Sequence, residues 1–401
     1  SDAHVYANGN VAVLADGTTK LDMIDGAFAA GAAGIGASVG VTVISATTLA
    51  TIDDNAQVTA LGNGAEQSYI SGFAPVLSDY GSDDNGLAAA DFKADATDEL
   101  TDANAAAARA AGLALLSKSR EAVATAATGR GVIVNATDNT SVRALSVSGA
   151  VGSVGISVSA SVPVITTNTK ARISTGAQIN QIAGPAAITQ DVTVAAASDV
   201  YTMGFSGAVA GGAVAGGAGV SVMVIDTTTE ATVDALSVSA EGDVVVAAKA
   251  TQDIVGIGAA GAAAGSVALA GGISVIDLTS VTTARLGGTV VAQGNVDVIA
   301  DDRTRTAVVA GALAVGYVGV GAAVSVVNLD KEISASIASG ATVSALGLRD
   351  NHTIFTGTGF SDTRTGSRGV NVQSNSAQSG FTLGVAGAAG GVGVAGVVAL
   401  Y

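Results

Sequence analysis

Hydrophobic and polar positions alternate along much of this chain. In GISVSASVPVI, residues 155–165, one side carries Ile156, Val158, Ala160, Val162 and Val164, and the other carries Ser157, Ser159, Ser161 and Pro163. VGVTV at 39–43 and VGVGAAV at 318–324 behave in the same way. A period of two is that of a β-strand, and both Gly and β-branched Val disfavour a helix in water. The pattern therefore predicts strands, and we expect the Val, Ile, Leu and Ala side to face inward.

A short phrase, one turn residue followed by Val-x-Val, recurs along the chain. It starts at Asn10, Gly131, Asp191, Asp243, Asn295 and Gly369, and the starts at 191, 243 and 295 are 52 residues apart. A second phrase of the VIDTTT type follows each Gly/Ala/Val run, and we expect a turn at its polar residue, which is Ser45, Thr166, Asp226, Asp277 or Asn328. A third phrase, such as VSAEGD at 238–243, closes the unit. A fixed period of this length is typical of a solenoid.

The sequence therefore predicts an all-β fold, a parallel β-solenoid (β-helix) of about six Gly/Ala/Val-rich repeats with a short α-helical insertion. Successive coils would stack at about 4.8 Å. We expect a unit to make two coils of roughly 20–30 residues, with one wide coil as the alternative. Because Gly and Ala are small, facing sheets could approach more closely than the usual distance of about 10 Å.

Spacing and composition divide the chain into five segments. These are solenoid coils at 1–61, an acidic loop and helical insertion at 62–130, repeats at 131–347, a polar loop insertion at 348–368 and a truncated repeat at 369–401. In the first insertion, residues 87–127 are rich in good helix formers and are interrupted by Gly112, which predicts two short helices. The second insertion is expected to form a loop or a hairpin.

The polar residues that open the units occupy equivalent turn positions. Asn10, Asp191, Asp243 and Asn295 could therefore stack as a short structural ladder. The alternative is that they are ordinary turn formers, since Asn and Asp side chains bond readily to nearby backbone groups.

Six uncharged stretches, at 26–52, 144–169, 200–225, 254–276, 306–329 and 369–401, invite an alternative interpretation as membrane helices. The stretches contain few Leu, Ile or Phe residues, the chain has no Trp, and no Lys/Arg bias separates alternate loops. Their period of two also favours strands over helices. We therefore expect no membrane span.

Composition and charge exclude several classes of function. The chain has 33 acidic and 17 basic residues, a net charge of −16, and no Lys/Arg cluster, so nucleic acids and anionic lipid surfaces are poor partners. It contains no cysteine, which excludes a disulfide framework, thiol catalysis and Cys-ligated zinc.

Candidate chemistry is sparse. His4 and His352 stand in polar surroundings outside any catalytic motif, and the polar pairs Asp53–Asp54, Asp301–Asp302 and Arg303–Arg305 have the composition of turns. We expect no enzyme activity and no cofactor other than calcium. For calcium, the best candidates are Asp79, Asp83 and Asp84 in SDYGSDDNG at 78–86, because calcium binds oxygen-rich loops. A solvated acidic loop is the alternative.

The repeats combine VxVxA, a Gly/Ala/Val run, V-[IV]-[DN]-x-T and A-x-[VI], and acidic Ala-rich insertions interrupt them. In this they resemble the repeat regions of very large bacterial filamentous adhesins, the filamentous-haemagglutinin-like and leukotoxin-type exoproteins. The resemblance covers Val5 to Tyr401 and rests on repeat texture, so it transfers no individual site. It implies a secreted or surface-anchored fibre, extracellular or on the bacterial cell surface, that serves adhesion, aggregation or biofilm.

The partners expected from this resemblance are copies of the chain, neighbouring repeats of a longer chain, and cell-surface or matrix polysaccharide. VYANGN at 5–10 matches VVAQGN at 290–295, and Tyr401 falls inside a Gly/Ala run, which predicts that the chain is a segment of a longer fibre. The alternative function is a glycan-binding or glycan-cleaving β-helix of the tailspike or lyase kind. It needs a groove lined with aromatic residues or carboxylates, and the chain has only seven Phe and six Tyr.

Overall fold

The structure is a computed structural model that describes residues 3–74, 123–182, 184–356 and 364–401. The described residues form twenty strands and no helix. The long strands are β2 (Val11–Ala30), β3 (Ala33–Ile52), β7 (Gly131–Val151), β8 (Val154–Ile173), β10 (Asp191–Val233), β12 (Val244–Leu286), β14 (Val296–Val315), β15 (Val318–Ile337), β19 (Val370–Ala389) and β20 (Val392–Leu400). The short strands are β1 (His4–Ala7), β4 (Gln57–Ala60), β5 (Gln67–Ala74), β6 (Val123–Gly129), β9 (Gln178–Ile179), β11 (Ser237–Ala240), β13 (Thr289–Ala292), β16 (Thr342–Ala345), β17 (His352–Phe355) and β18 (Arg364–Ser367).

The predicted helices in 87–127 fall mostly outside the described residues. Their last part, 123–127, belongs to β6, which pairs with β5, so the helical prediction is wrong for this end. Alanine favours a helix only weakly, and strand pairing overrides that preference. Residues 75–122, which carry most of the first predicted insertion, lie outside the described residues.

The long strands form two layers. Within each layer, all neighbouring strands pair in parallel. The first layer contains β2, β7, the first halves of β10 and β12, β14 and β19. The second layer contains β3, β8, the second halves of β10 and β12, β15 and β20. A short parallel sheet, β1-β4-β9-β11-β13-β16, closes one end of the two layers. The predicted all-β fold with parallel sheets is confirmed.

One 52-residue unit supplies one strand to each layer and one to the short sheet. Val192 pairs with Val244 and Val244 with Val296, so the pairing offset equals the full repeat. The expectation of two coils per unit is therefore wrong, because it requires partners about half a repeat apart. The reason is strand length: alternation continues without a break through Asp226 and Asp277, which lie within strands and not at the expected turns. The layers are joined instead at the Gly/Ala end of each unit, for example at Gly152 and Ser153.

The half of each unit beside the short sheet, called the core half below, follows the expected pattern. Val192, Val194 and Ala196 of the first layer point inward and are buried, and they pack against Val233 of the second layer and Val238 of the short sheet. Equivalent residues in the neighbouring strands extend this core along the stack. Apolar burial of this kind is the main favourable term in folding.

The half beside the connecting turn, called the glycine half below, reverses the pattern. It comprises residues 204–224 of β10 and their counterparts in neighbouring strands. Ser157, Ser159 and Ser161 are fully buried, whereas Ile156 and Val158 are exposed. The expectation that Val and Ile face inward is therefore wrong here.

The cause of this reversal is the small distance between the layers. A Cβ atom added at Gly219 would lie 2.1 Å from the carbonyl oxygen of Ala259, and one added at Gly217 would lie 2.7 Å from that of Gly261. The buried residues of this half are therefore mostly Gly, Ala and Ser, with Met223 as the large exception, and overpacking the gap would force the backbone to move. The buried serines bond across the gap, with 2.7 Å between the Oγ atoms of Ser148 and Ser157.

Two further features complete the fold. The polar insertion at 348–368 contains an antiparallel hairpin, β17–β18, in which His352 pairs with Ser367. In the part of the chain that the structure describes, there is no helix that could span a lipid bilayer.

Candidate functional site

The predicted ladder residues lie at one edge of the first layer, where the chain enters it from the short sheet. The Asp243 backbone N–H donates to Asp191 Oδ1 at 2.8 Å, and the Asn295 N–H donates to Asp243 Oδ1 at 2.5 Å. The Asn295 amide also donates to Asp243 Oδ1, at 3.1 Å. Each side chain thus accepts a bond from the unit that follows it, so three of the four predicted residues are linked consecutively.

The same bond recurs at the outer units, where glycine interrupts the side-chain series. The Gly131 N–H donates to Asn10 Oδ1 at 3.0 Å, and the Gly369 N–H donates to Asn295 Oδ1 at 2.9 Å. Gly131 and Gly369 have φ angles of +94° and +96°, a region that glycine adopts without strain. Gly131 carries no side chain to bond Asp191, whose N–H instead donates to the carbonyl oxygen of Arg130. Asn10 is therefore separated from the other three ladder residues.

His352 joins this edge from the hairpin, a role that the sequence did not suggest. Its Nε2 lies 2.9 Å from Asp243 Oδ2, and its Nδ1 is bonded to Asp297 Oδ2. Nearby, the Arg349 guanidinium donates to the carbonyl oxygen of Glu241 at 2.8 Å. His352 is far from both aspartates in sequence and belongs to an insertion without a repeat counterpart, so no local signal marks the contact.

The charges at this edge shift one another's pKa values. The hydrogen bonds that the His352 ring donates to Asp243 and then to Asp297 raise the pKa of His352 to about 10, against the opposing effect of burial. Burial alone would raise the pKa of Asp243, but bonds from His352 and Asn295 hold it below its usual value. Burial is also the main reason that the pKa of Asp191 rises to about 6. At neutral pH His352 is therefore a cation held between two carboxylates.

This arrangement is suited to holding the hairpin in place. Both imidazole nitrogens are bonded to carboxylates, so the protonated ring offers no lone pair for a metal or a substrate proton. Among the described residues, no group of three His, Cys, Asp or Glu side chains could hold a metal ion. Asp79, Asp83 and Asp84 lie outside the described residues, so calcium binding there stays a prediction.

A second polar feature is a depression of about 130 Å³ on the outer surface of the first layer. Its apolar lining includes Ala195, Val245, Ala247 and Ile299, and its polar lining includes Tyr69, Thr193, Lys249, Asp301, Arg364, Gln373 and Asn375. The Asn375 amide donates to Asp301 Oδ1 at 2.7 Å. Burial raises the pKa of Tyr69, although a hydrogen bond with Thr193 lowers it. An aromatic ring, amides and charges around an apolar floor match the chemistry of a sugar ring.

Asp301–Asp302 and Arg303–Arg305 lie within β14, so the expectation that these pairs form turns is wrong, whereas Asp54 does lie in a turn. Alternation sends the Asp301 and Asp302 side chains to opposite sides of the layer. Asp301 is outside, 3.2 Å from the Arg303 guanidinium. Asp302 is inside, 2.5 Å from the Lys331 ammonium, and both side chains of that pair are almost fully buried. Ser280 and Thr282 also donate to Asp302, at 2.7 and 2.9 Å.

Comparison of the chain with protein-family models, with curated proteins and with solved structures finds no match. The function must therefore be argued from the repeat, the strand register and the geometry of these surfaces.

Proposed function

We propose that the chain is a parallel β-solenoid with one wide coil per unit, and that it serves as a structural repeat segment of a secreted or surface-exposed bacterial adhesin or matrix fibre. The observation that carries this proposal is the repeated pairing: the two layer segments and the short strand of one unit pair in parallel with the equivalent segments of the next unit, with one register shift between Gly212 and Val214 of β10. Each added unit lengthens such a stack by one strand spacing, about 4.8 Å. A stiff stack of this kind suits a spacer that presents adhesive surfaces away from a cell.

The edge strands support growth of the stack by further repeats. At one end of the described part of the chain, β2 pairs only with β7 and β3 only with β8. At the other end, β19 pairs only with β14 and β20 only with β15. Each of these strands has one backbone edge that can accept another parallel strand. Neighbouring repeats of a longer chain, or copies of this one, are the proposed partners at these edges.

Engineered disulfides test the coil arrangement, because the chain has no cysteine of its own. Asn168 and Thr228 are register partners in adjacent units. Asn168→Cys combined with Thr228→Cys should therefore form an intramolecular disulfide, since partner Cα atoms in adjacent strands lie within disulfide range. The matched control, Asn168→Cys with Val224→Cys, is four positions out of register and should stay reduced. Equal oxidation of both pairs, measured by mass spectrometry, would reject the solenoid.

Cell display tests the adhesive role. A non-adherent bacterium that displays the chain on its surface should aggregate and accumulate biofilm more than one that displays an unrelated folded domain through the same anchor. If display leaves aggregation, biofilm mass and attachment to polysaccharide-coated surfaces unchanged, the adhesin proposal fails even where the disulfide test succeeds.

The alternative, a glycan-binding or glycan-cleaving β-helix, is favoured by the depression around Tyr69 and Asp301. Under this alternative, Tyr69→Ala would abolish stacking on a sugar ring, and Asp301→Asn would remove the carboxylate. Binding to a glycan array and release of reducing ends are the measurements, with Asp54→Asn, at a turn outside the depression, as the control. Glycan binding that both site variants lose and the control retains would establish this function.

A further inference from the structure

The outer side of the second layer in the glycine half is apolar and exposed. We call it the ridged face and define it by the outward residues of 33–43, 154–164, 214–222, 267–275, 318–326 and 392–400. None of these ranges contains Asp, Glu, Lys or Arg. Side-chain exposure reaches 69% at Ile35 and 73% at Val43. Because the interior admits mostly small residues, the large apolar residues of these strands have been placed in solvent.

The ridged face is larger than the apolar patches that monomers usually expose. About ten residues at 3.3 Å along six strands at 4.8 Å cover roughly 950 Å². The largest apolar patch on a typical monomer is about 300–600 Å². If two such faces met, they would together bury about 1,900 Å², which is the size of a stable protein–protein interface.

The face also has a specific relief. One row of mostly small residues, comprising Ala37, Ala218, Gly271, Ala322 and Gly396 with Val158 as the exception, runs across the strands. It lies between rows that are mostly Val, Ile and Leu, such as the row of Ile35, Ile156, Leu269, Val320 and Val394. Around Gly216 and Gly271, where an added Cβ atom would meet nothing within 4 Å, the surface forms an apolar trough of about 340 Å³.

We propose that the ridged face docks a second copy of this chain, face to face, with the ridge at Val39, Val41 and Val43 of each copy seated in the trough of the other. The area supplies the driving force, the absence of charge on the face removes repulsion, and ridge and trough supply the fit. Both copies use the same surface, so the contact closes as a twofold dimer. The inference rests on the proposed scaffold function and adds lateral pairing of stacks to it.

A lipid surface is the weaker candidate for the same face. The net charge of −16 repels anionic membranes, and the ridged face ends at polar residues: Asp277 and Asn328 lie in the row of Val43, and Asp226 lies in the next outward row. A fluid bilayer adapts to any surface and requires no trough. Two rigid sheets that lie face to face need matching relief, such as a ridge and a trough. Shape therefore favours a second protein copy.

Sedimentation velocity of the whole chain over a range of concentrations tests the dimer. The wild-type chain should show a monomer–dimer equilibrium, and Leu269→Lys, on the exposed face of the central strand β12, should weaken it at least about tenfold. The matched control is Thr279→Lys, an outward position on the same strand beyond the apolar region, which should leave dimerisation unchanged. Since β12 is bonded on both sides, neither change touches the edge strands that extend the stack.

A second variant separates shape-specific docking from general stickiness. Gly271→Leu fills the trough but makes the face more hydrophobic, and its Cβ atom meets nothing within 4 Å. Docking of a ridge predicts weaker dimerisation by this variant, whereas non-specific adhesion predicts stronger association. Thermal melts verify folding, and if Leu269→Lys fails to fold, Gly271→Leu carries the test alone.

Flotation with neutral phosphatidylcholine vesicles provides the lipid arm of the test. A wild-type chain that stays monomeric, whether it floats with vesicles or not, overturns the proposal, as does a dimer that both face variants retain. If the register disulfides form while dimerisation is absent, only the docking inference fails. If the disulfides fail to form, the scaffold proposal fails together with the docking inference.

Discussion

The core half and the glycine half of each unit share one alternating sequence pattern, but they differ in which side of it is buried. In the core half, Val192 and Val194 are inside. In the glycine half of the same repeat type, Ser157 and Ser159 are inside and Ile156 is outside. The comparison shows what decides which side of a strand faces inward. Where the two layers are close, side-chain size decides it; where the short third sheet holds the layers apart, side-chain polarity decides it.

The polar belt between the two halves explains how one strand can serve both. Thr140, Thr229, Thr282 and Thr304 are buried there together with Asp138 and Asp302. Hydroxyl groups satisfy these carboxylates in part: Thr140 donates to Asp138 at 2.9 Å, and burial raises the pKa of Asp138. Buried polar groups of this kind are tolerated when they are hydrogen-bonded.

The largest effect should come from this belt. Lys331→Met leaves Asp302 as a buried charge without its cation and should lower the free energy of unfolding by about 3–5 kcal/mol. The matched control is Lys170→Met in the partly exposed pair Lys170–Glu230, whose ions are 3.0 Å apart, with an expected cost of about 0–1 kcal/mol. Urea denaturation measures both, and equal effects would show that the belt is solvated.

The next effect tests the narrow gap of the glycine half directly. Gly219→Ala places a methyl group 2.1 Å from the carbonyl oxygen of Ala259 and should destabilise the fold by about 3 kcal/mol. Gly216→Ala, three residues earlier on the outer side, meets nothing within 4 Å and should be neutral or slightly stabilising. A similar melting temperature for the two variants would mean that the layers are further apart than described.

A third comparison exchanges valine for alanine in each half. Val246 is fully buried in the core half, and Val246→Ala should lower the free energy of unfolding by about 2 kcal/mol, because the truncation leaves a cavity in packed surroundings. Val43 is 73% exposed in the glycine half, and Val43→Ala should lower the free energy of unfolding by less than about 0.5 kcal/mol. Unfolding is measured at low protein concentration, so that any association through the ridged face does not contribute. A larger loss at Val43 would contradict the reversed orientation.

The smallest effect lies at the outer rim of the core half and depends on pH. The pKa of His352 is raised from 6.5 to about 10, so its stabilisation is complete below about pH 6.5 and is lost as the pH rises through 10. His352→Gln should therefore cost about 1 kcal/mol near pH 6 and almost nothing above pH 10. The control is His4→Gln in the exposed strand β1. A cost that does not vary with pH would show that His352 contributes by packing alone.

Much of this architecture is readable from the sequence. The 52-residue spacing of Asp191, Asp243 and Asn295 reappears as strand register, because parallel in-register strands place equivalent residues side by side. Alternation predicted the strands, including those in the uncharged runs that hydropathy alone would assign to membrane helices.

The tertiary structure alone decided three things. Alternation shows that a strand has two sides, but it does not show which side faces inward. The burial of Ser159 and the exposure of Ile35 therefore depend on the distance to the opposing layer. The number of coils per unit depends on where the chain turns, and the glycines that turn it resemble the glycines that line the gap. The pairing of His352 with Asp243 and Asp297 joins residues from different units and an insertion. The sequence determined the period and the register, which are local and repeated, whereas orientation and long-range pairing depend on the space that the packed layers leave.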